Sequence, residues 1–220
     1  AGEDAYLGAQ MGAAQVRGFQ GEAIGAPEHV VAGPKHYVGY GAALGGRDYD
    51  EANISEGDLR NVYLPPFAAA VAAGAGNVMT SYIGIDGVPG AADRRLITDV
   101  LRGELGFDGF VVSDAASVMD LITHHFARDE QDAAIRALRA GLDMEMWLGA
   151  RMSFTSSAEP TPAACAFSTL ADAVRAGKLD QQFLDAAVMR VLLTKLRMGL
   201  FEQPYVDASA ASNIMSDPAH

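Results

Sequence analysis

The 220-residue chain is half hydrophobic, contains 24 glycines and carries a formal net charge of −12, the composition of a globular protein with enough chain for one core. Its 16 basic residues face 28 acidic ones without forming a basic run, which argues against nucleic acid and makes a neutral ligand the easier partner. Cys165 is the only cysteine, so an internal disulfide is excluded; no Cys/His cluster has structural zinc spacing, and no apolar run approaches the roughly 18 residues of a membrane span.

In chain order, four short apolar segments, His29–Gly33, Asn77–Tyr82, Gly109–Ser113 and Leu142–Met146, are each followed by a turn and then a helical pattern. Their near-continuous hydrophobicity is that of strands covered on both faces. Ser55, with Asp58 three residues on, reads as a capping box opening a helix over Glu56–Tyr63; Pro65 and Pro66 are expected to interrupt that stretch and Gly74 to close it. Asp93 is placed to cap Arg94–Leu105, with Gly106 just past its end. Asp129 starts a helix running to Ala140, closed by Gly141. Residues 148–162 replace periodic apolar positions with Ser, Thr, Ala and Pro and read as a loop insertion. Asp180 then precedes a helix on which Leu184, Val188, Val191, Leu192 and Leu196 share one face, expected to be buried against the sheet, and Gly199 stops it. Residues 207–220 read as a linker or tail. The fold expected is α/β: a partial (β/α)8 TIM-type barrel of about four βα units plus a C-terminal helix, since a whole barrel takes about 250 residues.

In such barrels the chemistry sits at the C-terminal ends of the strands, which here deliver Lys35 and His36, Tyr82, Asp114 and Glu145. Donors and acceptors meeting on one rim suit a polyhydroxylated ligand. Asp114, at the end of Gly-Phe-Val-Val-Ser, is placed either as a carboxylate nucleophile or as the cap of the next helix, and position alone does not decide between them. Lys35 and His36 suit adjacent sugar hydroxyls, or else a solvated lysine beside a backbone-satisfied histidine. Arg47, in the loop GAALGGRDYD, is a planar donor fork for the site or a surface partner of Asp48 or Asp50. Met79 and Tyr82 line a wall or fill the core, and Trp147 stacks on a sugar face or anchors the interior. His124 and His125 are adjacent on a helix, point different ways and have no third ligand, so no metal is expected.

These segments come in an order that resembles glycoside hydrolase family 3, the β-glucosidases and β-xylosidases. GEDAYL, KHYVGYGAALGGRDYD, ISEGDLRNVYLPPF, VMTSYIGIDGVP, LITDVLRGELGFDGFVVSD, AGLDMEM and RVLLTKLRMGLFEQPY each resemble family segments, nearly end to end. The resemblance implies a retaining β-glycosidase that hydrolyses terminal non-reducing β-D-glycosyl residues through a covalent glycosyl-enzyme on Asp114. It implies that Lys35 and His36 bind sugar hydroxyls, and that Arg47, Met79 and Tyr82 line the subsite of the reacting sugar. The implied ligand is a β-linked glucoside or oligosaccharide, with no cofactor. Residues 1–206 correspond on this comparison to the C-terminal half of the family's barrel domain, so the chain is expected to be a piece of a larger enzyme whose other segments supply the acid/base carboxylate. The chain departs from the family at Ala115, where a bulky residue usually follows the nucleophile, at Pro34, and in the 148–162 insertion. The alternative from a different class is a catalytically silent half-barrel that binds sugar or self-associates through its uncovered edges.

Overall fold

Asp4 turns the chain into its first helix by accepting the Leu7 N–H at 2.6 Å. That helix, α1 (Ala5–Gln20), is not announced by the hydrophobic pattern because only Val16 and Gln20 along it are buried. The computed structural model describes residues 2–146, 165–206 and 208–215; Trp147 and the expected 148–162 insertion lie outside the described residues.

After β1 (Glu51–Ala52), Ser55 accepts the Asp58 N–H at 3.0 Å and opens α2 (Glu56–Asp58) as the capping box requires. The helix then widens into a π-type turn over Leu59–Tyr63 and runs on as α3 (Leu64–Ala72). Pro65 and Pro66 therefore do not interrupt it. They fall in the first turn of α3, where a missing N–H costs little.

Next come β2 (Asn77–Met79) and the antiparallel pair β3 (Gly84–Ile85) and β4 (Val88–Pro89), with β3 also parallel to β1. Asp93 accepts the Leu96 N–H at 2.9 Å and opens a π-type helix over Arg95–Glu104, which buries Leu96, Ile97, Val100 and Leu101. Each such side chain contributes about 1.5–3 kcal/mol of burial. β5 (Phe110–Val112) leads to α4 (Ser117–Thr123) and α5 (Glu130–Ala140). Asp129 caps α5 and Gly141 ends it at φ 107°, where a Cβ would press on Thr98 and Ile97. α6 (Leu170–Arg175), α7 (Gln181–Arg197) and α8 (Ala208–Met215) complete the described chain, so part of the expected linker is helical.

β2 and β5 pair in parallel, with Val78 opposite Val111. Tyr37 bridges Thr80 in parallel on one side and Val112 bridges Met144 in parallel on the other, so four segments lie side by side in chain order. The first of them sits later than His29–Gly33: Gly76 and Asn77 donate to the Ala32 carbonyl, Met79 to that of Pro34, and Tyr37 donates to Met79 at 2.8 Å. Pro34 fits because what it supplies to this ladder is its carbonyl.

α7 sits differently from what its apolar pattern implies. Its expected apolar stripe is not buried: Val188, Leu192 and Leu196 are 47%, 44% and 54% exposed, Val191 is half-buried, and Leu184 packs only partly on the core. Ala187 and Thr194 are the buried residues of α7, on the face that also carries Arg190. Arg190 sets that rotation by reaching Asp143, donating from Nε at 2.9 Å and from Nη2 at 2.7 Å. The Asp143 carboxylate is fully buried and also accepts from Arg102 at 2.6 Å and from the Val111 N–H at 2.8 Å. Burial pulls the Arg102 guanidinium below its ordinary range, and the Asp143 charge opposes that pull. Replacing Asp143 leaves Arg102 enclosed without its counter-charge; Asp143→Ala is expected to destabilise the fold by about 3–5 kcal/mol in urea unfolding, and an unchanged midpoint contradicts this role.

Candidate active site

β5 is followed by Ser113, which is fully buried and pins the turn that follows. Its Oγ accepts the Met146 N–H at 2.8 Å and donates to the Asp114 carbonyl at 2.8 Å. The same carbonyl accepts the Ser117 N–H at 3.2 Å, and Ala116, left-handed at φ 61°, donates to Met146 at 3.0 Å. The turn that carries Asp114 is thus held within itself and tied, through Ser113 and Ala116, to the segment at Met144 and Met146.

That side chain does not cap α4, whose N-cap is Ala116 and whose first turn takes no side-chain hydrogen bond. One Asp114 oxygen accepts the Ala115 N–H at 2.7 Å; the other lies 3.0 Å from His36 Nε2. His36 sits at the end of the neighbouring rim segment, its ring centroid 4.6 Å from that of Tyr40, and the Lys35–His36 and Tyr37–Val38 peptide bonds are cis. Burial lowers the imidazole below the usual 6.5; the Asp114 charge pulls against that shift and Lys35 adds to it. A neutral imidazole facing a carboxylate carries its proton on Nε2, so His36 is assigned as the donor and Asp114 as the acceptor.

Tyr82 closes the other side, donating from its hydroxyl to the Ala115 carbonyl at 2.6 Å. Burial, followed by the adjacent Asp114 charge, raises its phenol far above the ordinary range, so it remains a donor. Tyr49 packs edge-on against Tyr82 with centroids 4.5 Å apart, and Tyr40 lies 6.3 Å from it. Tyr40 donates to the Asp48 carboxylate, which also accepts the Tyr49 N–H at 3.0 Å. Tyr40, Asp48 and Tyr49 were not among the expected site residues. Their signal was present in YGAALGGRDYD, as aromatic and acidic side chains spaced by a glycine-rich loop beside the lysine-histidine pair.

Of the expected residues, Asp114, His36 and Tyr82 come together. Met79 is half-buried at the end of β2. Lys35 is exposed and borders a cleft with Gln15, Pro66 and Phe67. Arg47 pairs with Asp50 at 2.9 Å, its side chain 75% exposed, the surface alternative its position allowed. Glu145 caps the short helical turn at Ala166, accepting the N–H groups of Ala166 and Phe167 at 3.2 and 2.7 Å. His124 and His125 are exposed.

The arrangement defines a class: a parallel α/β protein with a carboxylate, an imidazole and phenols gathered at the carboxyl ends of its strands. Residues 2–194 match the glycosyl hydrolase family 3 N-terminal domain, and the chain belongs to that family. Over 204 residues it is 37% identical to a periplasmic β-glucosidase of Salmonella typhimurium, covering 93% of this chain and 25% of that protein. A β-xylosidase of Formosa agariphila is 40% identical over 205 residues, covering 91% and 27%. Among solved structures, a β-glucosidase from Erythrobacter marinus superposes with a TM-score of 0.88 at 34% identity over 99% of this chain and 27% of that one. A Listeria innocua β-glucosidase in complex with glucose gives 0.81 at 38% identity, over 92% and 26%. The chain therefore spans about a quarter of the length of the relatives it matches.

Because the fold lowers the His36 pKa, the unfolded chain takes up that proton first; the contribution to stability is complete above 6.5 and falls as pH drops below it. NMR titration of the imidazoles is expected to place His36 below 6.5, and lower still in Asp114→Asn, which removes the charge pulling it up. An upward shift in that variant contradicts the assigned pairing.

Proposed function

We propose that this chain carries the nucleophile side of a retaining β-glycosidase site, acting on terminal non-reducing β-D-glucosyl groups of a β-linked glucoside or oligosaccharide. The observation that carries the reading is the Asp114–His36 contact of 3.0 Å, since a neutral imidazole orients the carboxylate without cancelling its charge. An Asp114 oxygen attacks the anomeric carbon as the bond to the leaving oxygen breaks, forming a glycosyl-enzyme; water then releases the sugar. His36 and Tyr82 flank the reacting ring, with Met79 on the wall below it. Lys35 and Arg47, on the same rim but turned outward, are assigned the sugar's outer hydroxyls, a role that requires their side chains to swing inward on binding.

The second carboxyl group of a retaining pair lies about 5–5.5 Å from the first and protonates the leaving oxygen. Three carboxylates near this rim are engaged elsewhere: Asp48 with Tyr40, Asp50 with Arg47, and Glu145 with two backbone N–H groups. We assign the acid to a segment outside this chain, and read the chain as the C-terminal half of the family's barrel domain within a larger enzyme. Four parallel segments in chain order and the quarter-length match to full relatives support that reading. The β-glucosidase and β-xylosidase relatives, and the glucose complex of one structural relative, support the sugar.

A reagent with a good leaving group removes the need for the acid. Incubation with dinitrophenyl 2-fluoro-β-glucoside is expected to add one fluoroglucosyl group, mapped by peptide mass to Asp114, and Asp114→Ala is expected to abolish the addition while keeping its circular dichroism. No adduct, or an adduct on another carboxylate, refutes the proposal.

A further inference from the structure

The residue beside Asp114, Ala115, offers only a methyl group, and two tyrosines from other parts of the chain lie next to it, Tyr82 in contact with it and Tyr49 behind Tyr82. Tyr82 reaches the Ala115 carbonyl, and Tyr49 packs edge-on against Tyr82. Tyr49 is held at φ 65°, in the left-handed region that favours glycine, and its N–H is tied to Asp48, which also takes the Tyr40 hydroxyl. Loop residues 40–49 thus fix an aromatic ring in one place, half in solvent at 49% exposure, one layer farther out than His36 and Tyr82, which contact Asp114 or its neighbour.

Resting on the function proposed above, the geometry points to Tyr49 as the platform for the aglycone, the group that leaves from C1 on the side away from Asp114. In a displacement the leaving group lies opposite the nucleophile, and Tyr49, half exposed and backed by Tyr82, lies beyond the residues that touch Asp114 or its neighbour. A ring backed by Tyr82 and open on its outer side stacks on a flat apolar group such as an aryl aglycone or the apolar face of a second sugar. Tyr49 sets specificity for the leaving group and leaves the reacting ring to the strand-end residues.

Two reagents separate the roles. Dinitrophenyl 2-fluoro-β-glucoside loses dinitrophenolate as Asp114 bonds to C1; 2-fluoro-β-glucosyl fluoride loses fluoride in the same displacement and has no aromatic group to stack. Rates of covalent labelling, read by intact mass, are expected to fall roughly tenfold in Tyr49→Ala with the dinitrophenyl reagent and to stay unchanged with the fluoride. Tyr49→Phe keeps the ring and is expected to match the unsubstituted chain with both. The fluoride reaction also reports that each variant is folded. Equal losses with both reagents place Tyr49 against the sugar or in the fold and overturn the inference, as do equal rates with both. An unsubstituted chain that takes no label from either reagent fails at Asp114, and the inference falls with it.

Discussion

Asp143 is a fully buried carboxylate that accepts from two guanidinium groups and one backbone N–H, and the elements carrying the candidate site are fastened to it. Through Arg102 it holds the helix over Arg95–Glu104; through Arg190 it fixes which face of α7 meets the strands; through Val111 it fixes β5 three residues before Asp114. Removing one member of an enclosed charge set leaves a buried charge uncompensated, which is strongly destabilising. Here two arginines share one carboxylate, and Arg102 also donates to the Gly109 and Gly141 carbonyls while its Nε finds no hydrogen-bond partner among the described residues. The consequence is positional: the end of β5 cannot slide against the segment at Met144 without breaking charge-assisted hydrogen bonds in a buried place.

The site divides its carboxylates by what surrounds them. Asp143 is consumed by structure, Glu145 by two backbone N–H groups, Asp50 by Arg47 and Asp48 by a phenol and a backbone N–H. Asp114 is different in kind: no guanidinium or ammonium pairs with it among the described residues, and its carboxylate meets the Ala115 N–H, the His36 imidazole and the neighbouring Tyr82 phenol. His36 supplies the orientation because burial outweighs the pull of Asp114 and keeps the ring neutral.

Local chemistry was legible in the sequence wherever a single residue decides the outcome. Ser55, Asp93, Asp129 and Asp180 all cap the helices their positions imply, because an N-cap needs only one acceptor and three following residues. The parallel order of the four strand segments followed from the alternation of apolar runs with helical patterns. What failed depended on distant partners. The apolar positions of α7 suggested a buried stripe, but Arg190 turns the helix toward Asp143, 47 residues away. The loop tyrosines could not be placed from spacing, since Tyr40 and Tyr49 owe their positions to Asp48 and to Tyr82 on another strand end. Position alone leaves Asp114 open to a helix-cap reading; the structure removes that reading, because the carboxylate faces His36 and the α4 N-terminus is left to Ala116.

The most direct test of this account is a crystal structure of the chain after reaction with dinitrophenyl 2-fluoro-β-glucoside. The account predicts a covalent bond from the anomeric carbon to an Asp114 carboxylate oxygen in the α configuration, with His36 Nε2 still within hydrogen-bonding distance of that carboxylate. A sugar bound elsewhere, or an Asp114 side chain turned to cap α4, would contradict it.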